Sequence, residues 1–221
     1  LDTLKEFVSI ETGSRDIEGL TQASELLATK LRALGAQVDF IEPTAATTYR
    51  MADTPDKIGR MVRATLKGTG SKRILLIAHM DTVYLKGMLA KQPFRIDGNK
   101  AYGLGISDDK QGVAMVVHLV ALLKSLNFAE YGTLTVMVNG DEEISSPGSR
   151  EALAAAGAEH DAVLSFEATR SNDDKLSLAT SGIGAVEIKV EGRASHAGGA
   201  PERGINALYE LSHQILQMRD L

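Results

Sequence analysis

The 221-residue sequence predicts an α/β fold built on an open sheet. Two observations carry that expectation. Apolar runs of strand length alternate with amphipathic stretches at helical spacing, and polar or charged residues collect just beyond the C-terminal ends of those runs. An open α/β sheet has its ligand crevice at that edge. The length suits one ordinary domain, or one domain plus part of another.

The elements follow in order. Leu1, Leu4, Phe7 and Val8 recur at helical spacing within 1–11, and Leu26, Leu27, Leu31 and Leu34 repeat the pattern from Leu20 until Gly35. Residues 38–41 and 61–66 alternate apolar and polar, as half-buried strands do, whereas 74–78 is a continuous apolar run ending at His79, as suits a strand covered on both faces. A helix is expected over 110–126, with Val113, Val116, Val117, Val120 and Leu123 on one face. The apolar strand 134–138 runs into Asn139, Gly140 and Asp141; a helix over 149–155 and a strand over 162–166, ending at Glu167, complete the alternation. After the polar stretch Ser171–Asp174, an apolar stretch at 176–178, a strand at 185–190 and a helix from Gly204 to the end read as the start of a second, smaller unit, so the chain is expected to be incomplete. Neither an internal repeat nor a low-complexity segment is present.

Composition narrows the function. Lys and Arg number 24 against 29 Asp and Glu, for a net charge of -5, so no basic phosphate-binding surface is implied and nucleic acid is not an expected partner. No apolar run reaches the roughly 18 to 20 residues that cross a bilayer. A membrane is therefore not an expected partner either. Cysteine is absent, which removes disulfides, thiolate metal sites and cysteine nucleophiles. Any metal must be held by His, Asp and Glu. Compartment stays open between cytoplasm and periplasm, and a start at Leu1 with no basic and apolar leader suggests processing or trimming.

Four clusters stand at the expected strand ends or in the loops after them: His79 with Asp81, Asp108 with Asp109, Glu142 with Glu143, and Glu167. Each has an ordinary reading alone. His-x-Asp can be a solvated turn, Asp-Asp a helix cap favoured by the helix dipole, and the glutamates exposed carboxylates. Their joint position is different, because several carboxylates at one sheet edge repel one another unless a cation neutralises them. With nitrogen and oxygen donors alone, zinc is the expected occupant, with manganese or cobalt able to substitute. So many carboxylates for so few histidines suit two ions sharing a bridging carboxylate at roughly 3.5 to 4 Å. Gly103, Gly105 and Gly112 are set aside as a nucleotide loop, since acidic residues at the helix start would repel a pyrophosphate.

The segments HMDTVYLKG (79–87), KAYGLGISDDKQG (100–112), NGDEE (139–143), LSFE (164–167), KLSLATSG (175–182) and ASHAGGAPERGINA (194–207) resemble the di-zinc aminoacylase, dipeptidase and glutamate carboxypeptidase family, and within it the folate-cleaving glutamate carboxypeptidase branch. The resemblance runs from about Phe7 to the chain end. It implies a mixed twisted sheet with helices on both faces, a zinc-peptidase-like catalytic domain over 1–180, and the beginning of a small α+β dimerisation (lid) domain over 181–221. It also implies His79 and Glu167 on one zinc, Glu143 on the second, Asp108 bridging both by way of a cis Asp108–Asp109 peptide, and Asp81 orienting His79. Glu142 becomes the general base. His196 would reach the opposite subunit's active site to stabilise an oxyanion, and Lys175 and Ser177 would bind the substrate's glutamate side chain; a loop histidine and a solvated lysine are the ordinary readings. His118, His160 and His213 belong to no motif and read as structural or surface residues.

The reaction so implied is metal-assisted hydrolysis of an amide, releasing a C-terminal amino acid such as glutamate from a small-molecule or peptide substrate, by a homodimer joined through the second domain. A desuccinylase, an acetylornithine-type deacetylase or a dipeptidase is the alternative, and a non-catalytic ligand-binding or dimerising member a third reading. Relatives also use a further histidine ligand and a carboxylate-binding arginine from later segments, which these residues do not include.

Overall fold

The computed structural model describes residues 1–168, 176–179, 182, 184 and 186–219. The chain divides into two units, Leu1–Leu176 and Ser177–Leu221. In the first, α1 (Asp2–Val8) and α2 (Ile17–Ala33) precede strands β1 (Gln37–Ile41), β2 (Gly59–Lys67) and β3 (Arg73–His79). A short pair, β4 (Arg95–Asp97) and β5 (Lys100–Tyr102), leads to α3 (Gln111–Ser125), β6 (Thr133–Gly140), α4 (Arg150–Glu159) and β7 (Ala162–Ser165). The main sheet is mixed, in the order β1-β2-β6-β3-β7: β3 runs parallel to both β6 and β7, while β2 is antiparallel to β1 and β6.

The apolar runs of β3 and β6 are continuous because both sheet faces are covered. Leu134, Val136 and Val138 of β6, with Leu76 and Ala78 of β3, enter a large core shared with Phe7, Leu20, Leu27, Leu31, Val113 and Val116 from α1, α2 and α3. Residues one step away, Leu75 and Met137, face the other way and meet Ala152, Leu153 and Ala156 of α4. This is the two-residue period of a strand expressed on two buried faces.

Helix ends explain the boundaries of α2. Asp16 caps the start by accepting the Gly19 N–H at 3.2 Å. At the other end Gly35 adopts φ +92°, letting the Gly35 and Ala36 N–H groups reach the Arg32 and Leu31 carbonyls at 2.9 and 3.1 Å. That closing pattern wants glycine at the left-handed position. The strand pair β4–β5 was not expected; three-residue strands of mostly exposed residues leave little periodic signal.

In the second unit Arg193 and Ile205 form an isolated antiparallel bridge before α5 (Ala207–Met218). Asn206 caps α5 by accepting the Leu208 and Tyr209 N–H groups at 3.0 and 3.3 Å. The strand expected over 185–190 is not formed at 186–190, and position 185 lies outside the described residues. Extended backbone becomes a strand only through hydrogen bonds to a neighbour, and among the described residues no ladder partner lies beside it.

Candidate metal centre

Three parallel strands and one helix start build the site. The pairing of β3 with β6 sets His79 opposite Asn139, and that of β3 with β7 sets Ile77 opposite Ser165, so the chain leaves all three strands on the same edge. His79 ends β3, Glu142 and Glu143 sit in the turn after β6, and Glu167 lies two residues past β7. Asp108 and Asp109 occupy a wide turn, Ile106–Lys110, immediately before α3, and their shared peptide is cis, as the resemblance implies.

The buried imidazole of His79 is the hub. Its Nε2 lies 3.0 Å from Asp108 Oδ1, 3.2 Å from Glu167 Oε2 and 3.9 Å from Glu142 Oε2. Its Nδ1 faces the Asp81 main-chain carbonyl at 3.2 Å and the Asp81 carboxylate at 3.4 Å. Two oxygen acceptors on that side favour a proton on Nδ1, which leaves Nε2 to bind a cation. His79, Asp109 and Glu167 each place one donor atom within 4.8 Å of the others. Asp109 is nevertheless fully buried and already engaged: its Oδ2 accepts the His79 N–H at 3.3 Å and its Oδ1 the Gly112 N–H at 3.2 Å. Asp108, by contrast, is 62% exposed at its side chain, with an oxygen turned to Nε2. Asp108 therefore has the freer carboxylate, and Asp109 ties β3 to α3. Position 112 requires glycine, since a Cβ there would come within 2.3 Å of Asp109 Oδ1.

Two further buried acids hold the glutamate turn. Asp81 accepts the Glu142 N–H on Oδ1 and the Glu143 N–H on Oδ2, both at 3.0 Å, so one carboxylate faces His79 and fixes the backbone of both glutamates. Asp141 accepts Asn139 Nδ2 at 3.0 Å and the Ser149 hydroxyl at 2.6 Å on one oxygen, and the Gly148 and Ser149 N–H groups at 2.7 and 3.1 Å on the other. The anchoring residues Asp141, Asn139 and Ser149 were missed as site residues. Asn139 and Asp141 are the first and third residues of the NGDEE motif, which was the available signal; Ser149 carried none.

Charge crowding is visible in the titration of the site. Burial pulls the His79 imidazolium down, but the carboxylates of Asp81, Glu167 and Asp109 outweigh it and push the group up to about 11. Burial, the Asp108 charge and other acids push Glu143 up to about 7 against His79. Burial and the Glu167 charge push Asp109 to about 8. Burial likewise raises Glu142, whereas the hydrogen bond from His79 lowers Glu167. So much negative charge within reach of one imidazole fits a site for multivalent cations.

His196 is an exposed residue of the second unit, its Nδ1 accepting the Gly198 N–H at 3.2 Å. Ser177 is exposed in that unit, and Lys175 lies outside the described residues. His118 bonds Thr3 Oγ1 at 3.0 Å, His160 spans the Ala156 carbonyl and Thr135 Oγ1 at 2.6 and 2.8 Å, and His213 is exposed.

Comparison with known proteins places this geometry. The chain is 46% identical over all 221 residues to Carboxypeptidase G2 of Pseudomonas sp. (strain RS-16), of which it covers 51%. It is 32% identical to N-acetyl-L-citrulline deacetylase of Xanthomonas campestris pv. campestris over 64% of this chain and 36% of that one. The chain thus spans about half the length, or less, of these relatives. A Staphylococcus aureus tripeptidase shares the fold with a TM-score of 0.65 at 19% identity, across 99% of this chain and 55% of that one. A metallo-carboxypeptidase of Sulfolobus solfataricus does so at 0.60 and 18% identity, across 75% and 36%. Residues 75–216, which include His79, Asp108, Glu142, Glu143 and Glu167, match the family description, and the chain belongs to peptidase family M20/M25/M40.

Proposed function

We propose that this chain carries the metal site of a di-zinc hydrolase that cleaves an amide bond to release a C-terminal amino acid, glutamate in the first instance. The observation that carries the reading is the convergence of Asp108, Glu142 and Glu167 on Nε2 of His79, with Glu143 held in the same turn by Asp81. The donors fit zinc, and cobalt or manganese could replace it. His79 and Glu167 would hold one ion and Glu143 the other, with Asp108 between them. When bound, such a pair polarises a scissile carbonyl and acidifies a water.

The chain's own groups then divide the work. Glu142 is half-buried beside the imidazole, and burial raises its carboxyl above the usual glutamate value, the direction that makes it a better base. It would take the proton of the attacking water and deliver it to the leaving amine. Asp81 keeps the imidazole oriented and the backbone of both glutamates fixed. His196, from a second copy of the chain, would stabilise the oxyanion, and Lys175 and Ser177 would meet the acidic side chain of the released residue. A homodimer through the second unit is part of the same reading.

Release of a C-terminal residue is supported by the 46% identity to Carboxypeptidase G2; glutamate as that residue rests on the motif resemblance alone. The 32% identity to a deacetylase of N-acetyl-L-citrulline supports a second reading, removal of a small acyl group. Elemental analysis of the full-length protein should find about two zinc ions per chain, and assays on folyl-glutamate, N-acetyl-amino acids and succinyl-diaminopimelate decide between the readings. Faster cleavage of folyl-glutamate is expected; faster deacetylation favours the second reading, and a metal-free inactive protein rejects both.

A further inference from the structure

The segment from Ile10 to Ser14 is bound to the metal-site loops by almost every residue. The Ile10 carbonyl accepts the buried Lys110 ammonium at 2.6 Å, one residue after the Asp108–Asp109 turn. The Glu11 carboxylate accepts the Gly87 and Leu89 N–H groups at 2.9 and 2.8 Å. The Thr12 carbonyl accepts the Thr82 N–H at 2.8 Å, and the Ser14 N–H donates to the Thr82 carbonyl at 3.1 Å, a short parallel pairing just past the end of β3. Gly13 lies so close that a Cβ would meet the Tyr84 carbonyl at 2.2 Å. The segment ends by placing the buried Ser14 hydroxyl 2.8 Å from Asp81 Oδ2.

We propose that residues 10–14 are a positioning strap, fastened by Lys110 at one end and setting the Asp81 carboxylate through Ser14 at the other. The inference rests on the metal reading above. Asp81 has no exposed surface, so its carboxylate depends on protein donors: Ser14 Oγ and the Glu142 and Glu143 N–H groups, with His79 Nδ1 alongside. Ser14 is the one side-chain hydroxyl among them, and it comes from a segment 67 residues away in sequence. Removing it leaves Oδ2 with the Glu143 N–H and Oδ1 with the Glu142 N–H, so the carboxylate is held less tightly, and with it the imidazole and the glutamate turn. Lys110 works at the far end, where its bond to Ile10 joins the strap to the turn bearing Asp108. Ser14 and Lys110 touch no reacting atoms in this scheme; they act through Asp81 and the Asp108 turn.

The test is cobalt affinity, measured by chelator competition on the full protein, with the visible spectrum of bound cobalt as a second readout. Ser14→Ala should weaken cobalt binding about tenfold, as loss of a group supporting a metal ligand does, alter the spectrum, and lower kcat at unchanged KM. Ser14→Thr, which restores the hydroxyl, should recover the affinity. Lys110→Met, which keeps the stem but removes the bond to Ile10, should weaken binding in the same direction and stands in should Ser14→Ala fail to fold. Cobalt affinity at the wild-type value in either folded variant overturns the strap. A wild-type protein that bound no cobalt would overturn the metal reading and the strap together.

Discussion

Glu142 lies 3.9 Å from His79 Nε2, farther than Asp108 and Glu167, which suits the proton-transfer role proposed for it. Replacing it tests that role. Glu142→Gln should lower the hydrolytic rate by about 10²-fold or more, the loss expected of a general base, with zinc content unchanged; retention of more than about a tenth of the rate would reject the role. The same crowding makes metal binding depend on pH. At neutral pH the metal-free protein keeps a proton on His79, whose ionisation lies near 11, and on Asp109, near 8. A bound cation needs the imidazole nitrogen free. Metal binding at pH 7 should therefore release at least one proton and tighten as pH rises, which calorimetry in buffers of different ionisation enthalpy measures; proton-neutral binding would contradict it. In the metal-free protein these raised groups hold protons that the unfolded chain has lost. Its stability should accordingly fall as pH rises from about 4 towards 11, most where Asp109, Glu143 and His79 still hold protons in the folded state. The gathering of His79, Asp108, Glu142 and Glu167 was legible in the sequence, because each sits in a short motif at a strand or helix end. Ser14 was not, since it reaches Asp81 across 67 residues; Asp109 was singled out with Asp108, but its buried bonds to the His79 and Gly112 N–H groups were not readable.

The strands and helices that carry the site are ordinary in their physics, and their weak points can be named. Leu76 is buried in β3 between the helix layer and the neighbouring strands. Leu76→Ala should cost about 2 to 5 kcal/mol, seen as a lower denaturant midpoint. Asp16→Ala removes the cap of α2 and should cost about 0.5 to 2 kcal/mol, with part of the loss traceable to the contact of Lys86 with Asp16 at 3.5 Å. These elements were readable wherever apolar residues recur, as in α2, α3, β3 and β6. They were unreadable where hydrogen bonding alone defines them. The β4–β5 pair has an apolar residue at Ile96 that is more than half exposed, and 186–190 has a strand's sequence but no ladder among the described residues.

The whole chain bears two units of unequal finish. The first closes a core on both faces of its sheet, whereas α5 of the second leaves Leu208 and Tyr209 73% and 78% exposed, with Ile215 and Leu216 on the same side of the helix. A dimer joined through that unit should sediment at twice the monomer mass, and Leu208→Glu with Tyr209→Glu should return it to the monomer; an unchanged mass would reject that surface. The mixed sheet and its helix layers could be anticipated from the sequence, but the anchoring of the site by the chain's first residues could not, since nothing local announces a partner so far along the polypeptide. The parallel pairing of β3 with β6 and β7 has one more outcome. Side chains alternate between faces at every step of a strand, so losing or gaining a single residue anywhere in 73–79 would carry the imidazole about 3.3 Å along the chain and turn it away from its partners. Changes of length in β3 should therefore abolish metal binding even where the apolar pattern is kept, and indels should be confined to stretches such as 43–58, outside the ladders.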